Sequence, residues 1–206
     1  MALTIYGSPR SRTMRTLWTA AELGLDYTHV RLAFDDPALK SPAFRRINPA
    51  GAVPAIVDDG FALSESLAIN LYLTKKYGSG GQEPLYPQTI EGEADVWRWT
   101  LWAQSHLEPW VQRDALLADL REAIASHAPG MIEKALSVLE ATLAQRRWLA
   151  AEHFTVADLN VAGVLSPSRA AHIDFTQSAN VRDWLTRCYA RPAALAVRKR
   201  FADFTA

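Results

Sequence analysis

The stretch NPAGAVPAIVDDGFALSESLAI, residues 48–69, carries the densest pattern of structural signals in this chain of 206 residues. Two short apolar runs flank the pair Asp59-Gly60, and an Asp-Gly pair in that setting predicts a tight hairpin between antiparallel strands. Pro54 stands at the start of the first strand, where it cannot donate to a β-ladder and where a cis peptide bond is compatible with the preceding turn. The stretch therefore predicts a turn, a β-hairpin and the start of a helix.

Ser64, Glu65 and Ser66 lie where that helix is predicted to begin. Free backbone N–H groups converge with hydroxyls at such a start, and together they can hold a carboxylate or a phosphate. A serine at the same place also serves as a plain helix cap. The stretch by itself leaves both interpretations open.

The residues before this stretch predict a small α/β arrangement. Residues 2–6 are apolar and β-prone, residues 12–23 have apolar side chains at helical spacing, and residues 27–32 alternate as in a second strand. Gly24 is the predicted C-terminal cap of the helix. A strand, a short helix and a strand imply a parallel pair joined by a right-handed crossover. With a short helix over 42–47, the first 78 residues predict the order β-α-β-α-β-β-α.

The β signal ends after residue 78. Residues 79–88 are rich in glycine and proline and predict a linker, and residues 89–206 predict an all-helical domain. Its helical patterns cover residues 89–120, with an interruption at Pro109, and residues 131–147, 156–165, 178–190 and 193–202. Thr155 and Asp158 have the spacing of a capping box, so we expect Asp158 to be structural and the apolar helix after it to be buried.

Composition argues against several classes of function. Lys+Arg and Asp+Glu both number 22, so no excess positive charge is present to hold nucleic acid or an anionic membrane. No run of about 18 apolar residues predicts a transmembrane helix, and the N-terminus has no signal-peptide pattern. The histidines do not fall at metal-ligand spacing, and no glycine-rich nucleotide motif occurs. We therefore expect no metal, no nucleotide, no nucleic acid and no membrane partner.

Cys188 is the single cysteine of the chain. One cysteine allows no internal disulfide, which fits the reducing conditions of the cytoplasm. We expect a cytoplasmic protein in which Cys188 is a small buried apolar residue. The loop after the first strand has no thiol, so redox chemistry by a pair of thiols is disfavoured.

Four segments, in this order and spacing, make the chain resemble the cytosolic glutathione transferase superfamily in its bacterial, serine-type form. They are Leu3–Gly24, Asn48–Pro54, Leu63–Ile69 and Phe154–Asp158. The resemblance implies a thioredoxin-like α/β N-terminal domain followed by an all-α C-terminal domain. It also implies glutathione as a substrate and a homodimer.

The resemblance assigns glutathione-binding roles to matching positions. The backbone of Val53 would pair with the cysteinyl part of glutathione like an added strand, and Pro54 would be a cis proline that shapes that edge. Glu65 and Ser66 would hold the α-amino and α-carboxylate groups of the γ-glutamyl end, as expected for a carboxylate facing an amine and a hydroxyl facing a carboxylate. Lys40 or Arg45 would meet the glycyl carboxylate.

The expected chemistry is ionisation of the glutathione thiol. Lowering a thiol pKa from about 8.5 to about 6.5 needs about 2.7 kcal/mol of preference for the anion. One hydroxyl that donates to the charged sulfur supplies about 1.5–3 kcal/mol. Ser11 stands where serine-type members place this hydroxyl, and Tyr6 stands where tyrosine-type members place theirs. Ser8 and Thr13 are lesser alternatives, and Arg10 or Arg12 would raise the local potential.

Trp99, Trp102, His106 and Trp110 share one face of the predicted long helix. We predict an electrophile pocket at Trp102, His106 and Trp110; the alternative is that this face belongs to a core or an interface, with His106 a buried core histidine.

These features predict a glutathione S-transferase that attacks small apolar electrophiles. The rivals are a glutathione-dependent isomerase or dehalogenase, which would use the same thiolate, and a non-catalytic relative that binds or scaffolds. The resemblance implies that non-catalytic relatives usually lack the Glu-Ser pair or the loop hydroxyl. This chain has both Glu65-Ser66 and hydroxyls in the loop, which favours the enzyme.

Overall fold

The computed structural model describes residues 2–111 and 118–202, with the backbone alone over 118–126. The chain divides into two units, Met1–Gly80 with Ala190–Ala206, and Gly81–Tyr189. Residues 190–206 thus group with the first unit, although the predicted helical domain extended to residue 206.

A four-stranded mixed sheet with the order β2-β1-β3-β4 organises the first unit. Strand β1 (Leu3–Tyr6) runs parallel to β2 (Thr28–Val30) and antiparallel to β3 (Ala55–Asp58), which pairs with β4 (Phe61–Ser64) through the Asp-Gly turn. Both the parallel crossover and the hairpin predicted from the sequence are confirmed.

The helices of the first unit are α1 (Thr13–Glu22), α2 (Pro42–Arg45), α3 (Ser66–Tyr77) and α9 (Pro192–Arg200), with a 3₁₀ turn at Pro37–Lys40. Together with the strands they confirm the predicted order of elements in residues 1–78.

Gly24 ends α1 as predicted. It has φ +60°, a left-handed conformation that glycine adopts without steric cost. The N–H of Leu25 donates to the carbonyl of Ala20 at 2.9 Å, and the N–H of Gly24 donates to Ala21 at 3.2 Å. These two bonds form a Schellman motif.

Alternation along β1 separates the two faces of the sheet. Leu3 and Ile5 join the core formed with α1, α3 and α9, whereas Tyr6 packs with Leu39 and Phe44 in a separate cluster. In the same core as Leu3 and Ile5, α9 buries Val197 and Phe201, which accounts for its place in the first unit.

Arg191, just before α9, pairs with Glu22 of α1 at 2.8 Å. The pair ties the start of α9 to the end of α1.

Asp58, at the end of β3, ties the sheet to α3. Its carboxylate accepts hydrogen bonds from the Tyr72 hydroxyl at 2.9 Å, from the Tyr77 hydroxyl at 2.9 Å and from Lys76 Nζ at 2.8 Å. Burial raises the pKa of Asp58, but these hydrogen bonds and the charge of Lys76 outweigh it, so that the pKa lies below its ordinary value.

This lowered pKa predicts an acid-dependent loss of stability. The folded protein binds the proton of Asp58 more weakly than the unfolded chain does, so the contribution to stability is present above about pH 4 and is lost as the pH falls through the folded-state pKa. Urea unfolding of wild type and Asp58→Asn between pH 3 and pH 7 tests this: the gap in unfolding free energy should narrow as the pH falls. A gap that stays constant would contradict the assignment.

The second unit contains α4 (Ile90–Trp102), α5 (Glu108–Val111), α6 (Ala118–Leu143), α7 (Val156–Val164) and α8 (Ala179–Tyr189). In α7 every residue is buried, which confirms the predicted core helix. Cys188 in α8 is fully buried, as predicted. In the described part of the chain, no helix has the length and apolar character needed to cross a membrane.

The helical pattern over residues 89–120 is interrupted near Pro109, as predicted from the sequence. After α4 the chain makes a π-helical turn at Ala103–Leu107 before α5, and residues 112–117 lie outside the described part. Pro109 explains the change, because its ring crowds the carbonyl of residue 105 and its nitrogen has no proton to donate to it. Helix α6 begins before the predicted start at 131 and contains Pro129.

Asp158 binds much more than its own helix cap. The predicted capping box with Thr155 is present. The same carboxylate also accepts hydrogen bonds from the N–H of Leu149 at 2.9 Å and from Trp184 Nε1 in α8 at 2.9 Å. Burial raises the pKa of Asp158, and its hydrogen bonds oppose that rise. Asp158 therefore links three segments of the helical unit.

Candidate functional site

The Val53-Pro54 peptide bond is cis, as the sequence suggested. Asn48 holds the turn before it: its amide donates to the carbonyl of Ala52 at 2.7 Å, and its side-chain oxygen accepts the N–H of Ala50 at 3.1 Å. Gly51 has φ +62°, and a Cβ there would lie 2.9 Å from the carbonyl oxygen of Leu39. The turn is therefore closed by Asn48 and requires glycine at position 51.

The backbone of Val53 faces no strand. Among the described residues, no main-chain hydrogen bond occupies its N–H or its carbonyl, and its side chain is half-buried. Such an edge can accept an extended peptide segment through main-chain hydrogen bonds.

Glu65 has φ 70° and ψ 110°, a strained conformation for a residue with a side chain. It is exposed and precedes Ser66, the first residue of α3. No side chain caps the described start of α3, so the plain-cap interpretation of these serines is not supported. Strain of this kind costs about 1–3 kcal/mol and clusters at functional sites.

Arg15 is a site residue that the sequence analysis missed. It is only 3 % exposed, and its guanidinium donates to the hydroxyl of Ser66 at 3.3 Å. A buried guanidinium is costly unless it meets polar or anionic groups, so Arg15 brings positive charge to the start of α3. The signal that could have revealed it is an arginine among the inward-facing apolar positions of α1.

Ser11 lies in the loop before α1. Its hydroxyl donates to the carbonyl of Ser8 at 2.7 Å, accepts the N–H of Thr13 at 3.1 Å and lies 2.8 Å from the Thr13 hydroxyl. It is half-buried, whereas Thr13 is fully buried. Ser11 is therefore the more accessible of the two hydroxyls.

Tyr6 packs away from α1. Its ring meets Phe44 edge to face at a centroid distance of 5.9 Å, in the cluster with Leu39 on the sheet face opposite Leu3 and Ile5. The ring of Tyr6 therefore has a structural role as a packing partner of Phe44.

The two cations suggested for a glycyl carboxylate are both exposed. Lys40 ends the 3₁₀ turn, and Arg45 ends α2. Arg45 also lies beside the Asn48–Pro54 turn, since its Nε is 3.8 Å from the position of a Cβ on Gly51.

The aromatic residues predicted for an electrophile differ in their surroundings. Trp99 is buried and donates to the carbonyl of Leu149 at 2.8 Å, so it belongs to the core. Trp102 is half-buried and lies parallel to the His106 ring, at an interplanar angle of 6° and a centroid distance of 6.5 Å. His106 is exposed, so its expected place in the core was wrong.

Trp110, also half-buried, follows the π-helical turn. That turn changes the angular register of the helix, so the spacing that grouped Trp110 with Trp102 does not hold across it. Within residues 2–111 and 118–202, no group of three or more His, Cys, Asp or Glu side chains could hold a metal ion.

Comparison with known proteins identifies the family. The family model "Glutathione S-transferase, N-terminal domain" matches residues 1–75, and "Glutathione S-transferase, C-terminal domain" matches residues 114–192. The chain is 34% identical to Glutathione S-transferase 3 of Zea mays, over 93% of this chain and 90% of that protein. It is 29% identical to Glutathione S-transferase D7 of Anopheles gambiae, over 91% and 86%.

A solved structure of poplar glutathione transferase F1, in a serine-to-cysteine variant, superposes with a TM-score of 0.86. The two chains are 26% identical, and the match covers 99% of this chain and 100% of the poplar chain. This confirms the predicted thioredoxin-like and all-helical architecture.

The mixed four-stranded sheet with its cis proline, followed by a helical unit, defines the thioredoxin-like class of fold with an added all-helical domain. Within that class, the chain belongs to the glutathione S-transferase family, which confirms the family and the kind of enzyme predicted from the sequence.

Proposed function

We propose that this enzyme binds glutathione along Val53 and at the start of α3, ionises its thiol with the hydroxyl of Ser11, and transfers the thiolate to small apolar electrophiles. The observation that carries the proposal is the start of α3. There Glu65 is held in a strained, exposed conformation directly before the uncapped first turn, with the buried cation Arg15 at Ser66.

The start of α3 suits the head group of an amino acid. The exposed carboxylate of Glu65 pairs with an α-amino group, while the hydroxyl and N–H of Ser66 donate to an α-carboxylate. The guanidinium of Arg15, 3.3 Å from the Ser66 hydroxyl, adds positive charge for the same carboxylate.

The cysteinyl part of glutathione then pairs with the backbone of Val53 beside the cis Pro54. Lys40 or Arg45 meets the glycyl carboxylate, and Arg45 is the better placed beside the Asn48–Pro54 turn.

Ser11 is the proposed donor to the thiolate sulfur, and Tyr6 is the rival. Three observations favour Ser11: it precedes α1, it is partly accessible, and its loop reaches Val53, since a Cβ on Gly7 would lie 2.9 Å from the Val53 Cβ. Tyr6 is instead packed on Phe44. The N-terminus of α1 adds a few tenths to about 1 kcal/mol in favour of an anion nearby.

The electrophile is proposed to meet the exposed aromatic surface of Trp102 and His106. The two rings are parallel, and partly exposed aromatic rings offer flat apolar surface to planar apolar molecules. Trp110 is included in this surface as a proposal.

Retention on immobilised glutathione, followed by a conjugation assay with an aromatic chloride, tests the function. We expect retention, elution by free glutathione, and a conjugation rate proportional to enzyme. A protein that neither binds glutathione nor conjugates the aromatic chloride would contradict the proposal. A protein that binds glutathione but catalyses only isomerisation or dehalogenation would contradict the conjugation step alone, because those reactions use the same thiolate.

We also infer a cytoplasmic homodimer. The single buried cysteine fits a reducing compartment. Helix α4 has an exposed apolar stripe at i, i+4, i+7 and i+11, formed by Ile90, Ala94, Trp97 and Leu101. Ile90 is 83% exposed and Leu101 is 59% exposed, and apolar stripes of this kind mark interfaces.

Leu101→Glu is expected to convert the dimer to a monomer, because it buries a charge in the proposed interface. Analytical ultracentrifugation at matched concentration provides the mass of each species. Val138→Glu, at an apolar position of α6 that is 42% exposed, is the control and should remain dimeric. A monomeric wild type, or a dimeric Leu101→Glu, would contradict the assignment of this surface.

A further inference from the structure

The hydroxyl of Ser11 has one proton and three polar neighbours. It donates that proton to the carbonyl of Ser8 at 2.7 Å. The N–H of Thr13 donates to the Ser11 oxygen at 3.1 Å, and the Thr13 hydroxyl lies 2.8 Å from the same oxygen. The direction of this last hydrogen bond follows from the surroundings of Thr13.

Thr13 is fully buried, and its hydroxyl packs against the α-carbon of Gly7. A Cβ on Gly7, where φ is +132°, would lie only 2.1 Å from the Thr13 oxygen. In the described part of the chain, Ser11 is the hydrogen-bond partner of the Thr13 hydroxyl. A buried hydroxyl that donates to nothing is costly, so Thr13 donates and Ser11 accepts.

We propose that Thr13 is a positioning residue that prepares Ser11 to donate to the ligand sulfur, an inference that rests on the proposed function. Thr13 supplies two donors, its N–H and its hydroxyl, to the oxygen of Ser11. Both lone pairs of that oxygen are then engaged, and the proton of Ser11 can only point outward, to the Ser8 carbonyl or to the sulfur.

Thr13 also strengthens the hydrogen bond that Ser11 makes. When Ser11 donates to a thiolate, its oxygen gains negative charge, and two donors aimed at that oxygen stabilise it. Thr13 itself is fully buried, so its effect on a bound sulfur passes through Ser11. Gly7 is required at its position because a larger residue would displace the Thr13 hydroxyl.

Three variants test the proposal. Thr13→Val keeps the shape and removes the hydroxyl, and Thr13→Ser keeps the hydroxyl. Thr16→Val is the matched control, because Thr16 is fully buried on the same helix and its hydroxyl has no hydrogen-bond partner among the described residues. Each protein is titrated with pH while the kcat/KM for conjugation and the ultraviolet absorbance of bound thiolate are followed. The Kd for S-methylglutathione, which has no thiol proton, is measured alongside.

For Thr13→Val we expect the apparent thiol pKa to rise by about half a unit to one unit, the size of one net hydrogen bond, so that kcat/KM falls about 3- to 10-fold at pH 5.5 and about 1.5- to 3-fold at pH 7. The Kd for S-methylglutathione should stay within about twofold of wild type, since that ligand needs no thiolate donor. Thr13→Ser should restore the wild-type pH profile, and Thr16→Val should match it.

A Thr13→Val protein with the wild-type pH profile would overturn the proposal. So would a loss of affinity for S-methylglutathione that accounts for the whole fall in kcat/KM, because that result defines a purely structural role. If wild type itself shows no bound thiolate, the proposed function fails as well, which distinguishes the two failures. If Thr13→Val does not fold, a Thr13→Ser protein with a raised thiol pKa overturns the proposal.

Discussion

Ser11→Ala is expected to lower kcat/KM for conjugation about 100-fold at pH 5.5 and about 25-fold at pH 7, because the thiolate fraction falls when the bound thiol pKa rises from about 6.5 to about 8.5. A hydrogen bond to a charged sulfur is worth about 1.5–3 kcal/mol, and about 2.7 kcal/mol corresponds to two pKa units of the bound thiol. Alanine removes the donor, so the thiol should ionise near its free pKa of about 8.5. The measurement is the pH profile of kcat/KM from pH 5.5 to pH 9.5.

The way in which the deficit in kcat/KM changes with pH shows whether Ser11→Ala impairs ionisation of the thiol or folding of the protein. Because the variant lacks thiolate only where its thiol stays protonated, its deficit in kcat/KM should shrink as the pH rises from about 6.5 towards the free-thiol pKa of about 8.5. Ser11 also accepts the N–H of Thr13, so alanine removes a hydrogen bond before α1 that is worth about 1 kcal/mol. That second loss lowers the thermal midpoint and leaves the pH profile unchanged.

Tyr6→Phe is the matched control for Ser11→Ala, because it removes the rival hydroxyl and keeps the ring that packs on Phe44. It should retain activity within about threefold of wild type, less than one hydrogen bond to a charge would give. An inactive Tyr6→Phe beside an active Ser11→Ala would reverse the assignment.

Asp158→Ala is expected to destabilise the protein by about 3–5 kcal/mol, because several buried donors lose their acceptor at a cost of about 1–3 kcal/mol each. The substitution leaves the N–H groups of Leu149 and Thr155 and the indole of Trp184 without their acceptor in a dry environment. Urea unfolding followed by circular dichroism measures the loss.

Asp95→Ala is the control for this prediction. Asp95 pairs with Arg98 at 2.8 Å and with Arg146 at 3.1 Å, on partly exposed side chains, so its removal should cost less than about 1 kcal/mol. Asp158→Asn, which keeps one acceptor oxygen, should fall between the two. Equal losses for Asp95→Ala and Asp158→Ala would contradict the role given to Asp158.

Local signals predicted much of the fold. The Asp59-Gly60 hairpin, the cis Pro54 and the Gly24 cap each depend on a few neighbouring residues whose conformations are restricted. The capping box at Thr155 is of the same kind. Such features are encoded within four or five residues, so the sequence shows them directly.

Contacts between distant residues could not be predicted in this way. The approach of Arg15 to Ser66 joins residues 51 positions apart, and the bond from Trp184 to Asp158 joins two helices. The same holds for α9, whose Val197 and Phe201 pack on the first unit, and for the three donors that converge on Asp58. Each needs the tertiary arrangement before it can be seen.

The residues of the candidate site also fall into those that the local sequence predicted and those that required the tertiary structure. Val53, Pro54, Glu65 and Ser66 follow one another closely in sequence, and their pattern was readable. His106 was misjudged because helical spacing gives a face and does not say whether that face is covered. The interruption at Pro109 was expected, but Trp110 was still grouped with Trp102 on a regular helical period, so the π-helical turn at Ala103–Leu107 was missed.

The most direct test of the account is a pH titration of glutathione bound to the wild-type enzyme, followed by the ultraviolet absorbance of its thiolate against a blank with S-methylglutathione. The account predicts that the bound thiol ionises with a pKa of about 6.5, two units below the free thiol. Bound glutathione that ionises with the pKa of the free thiol would contradict it.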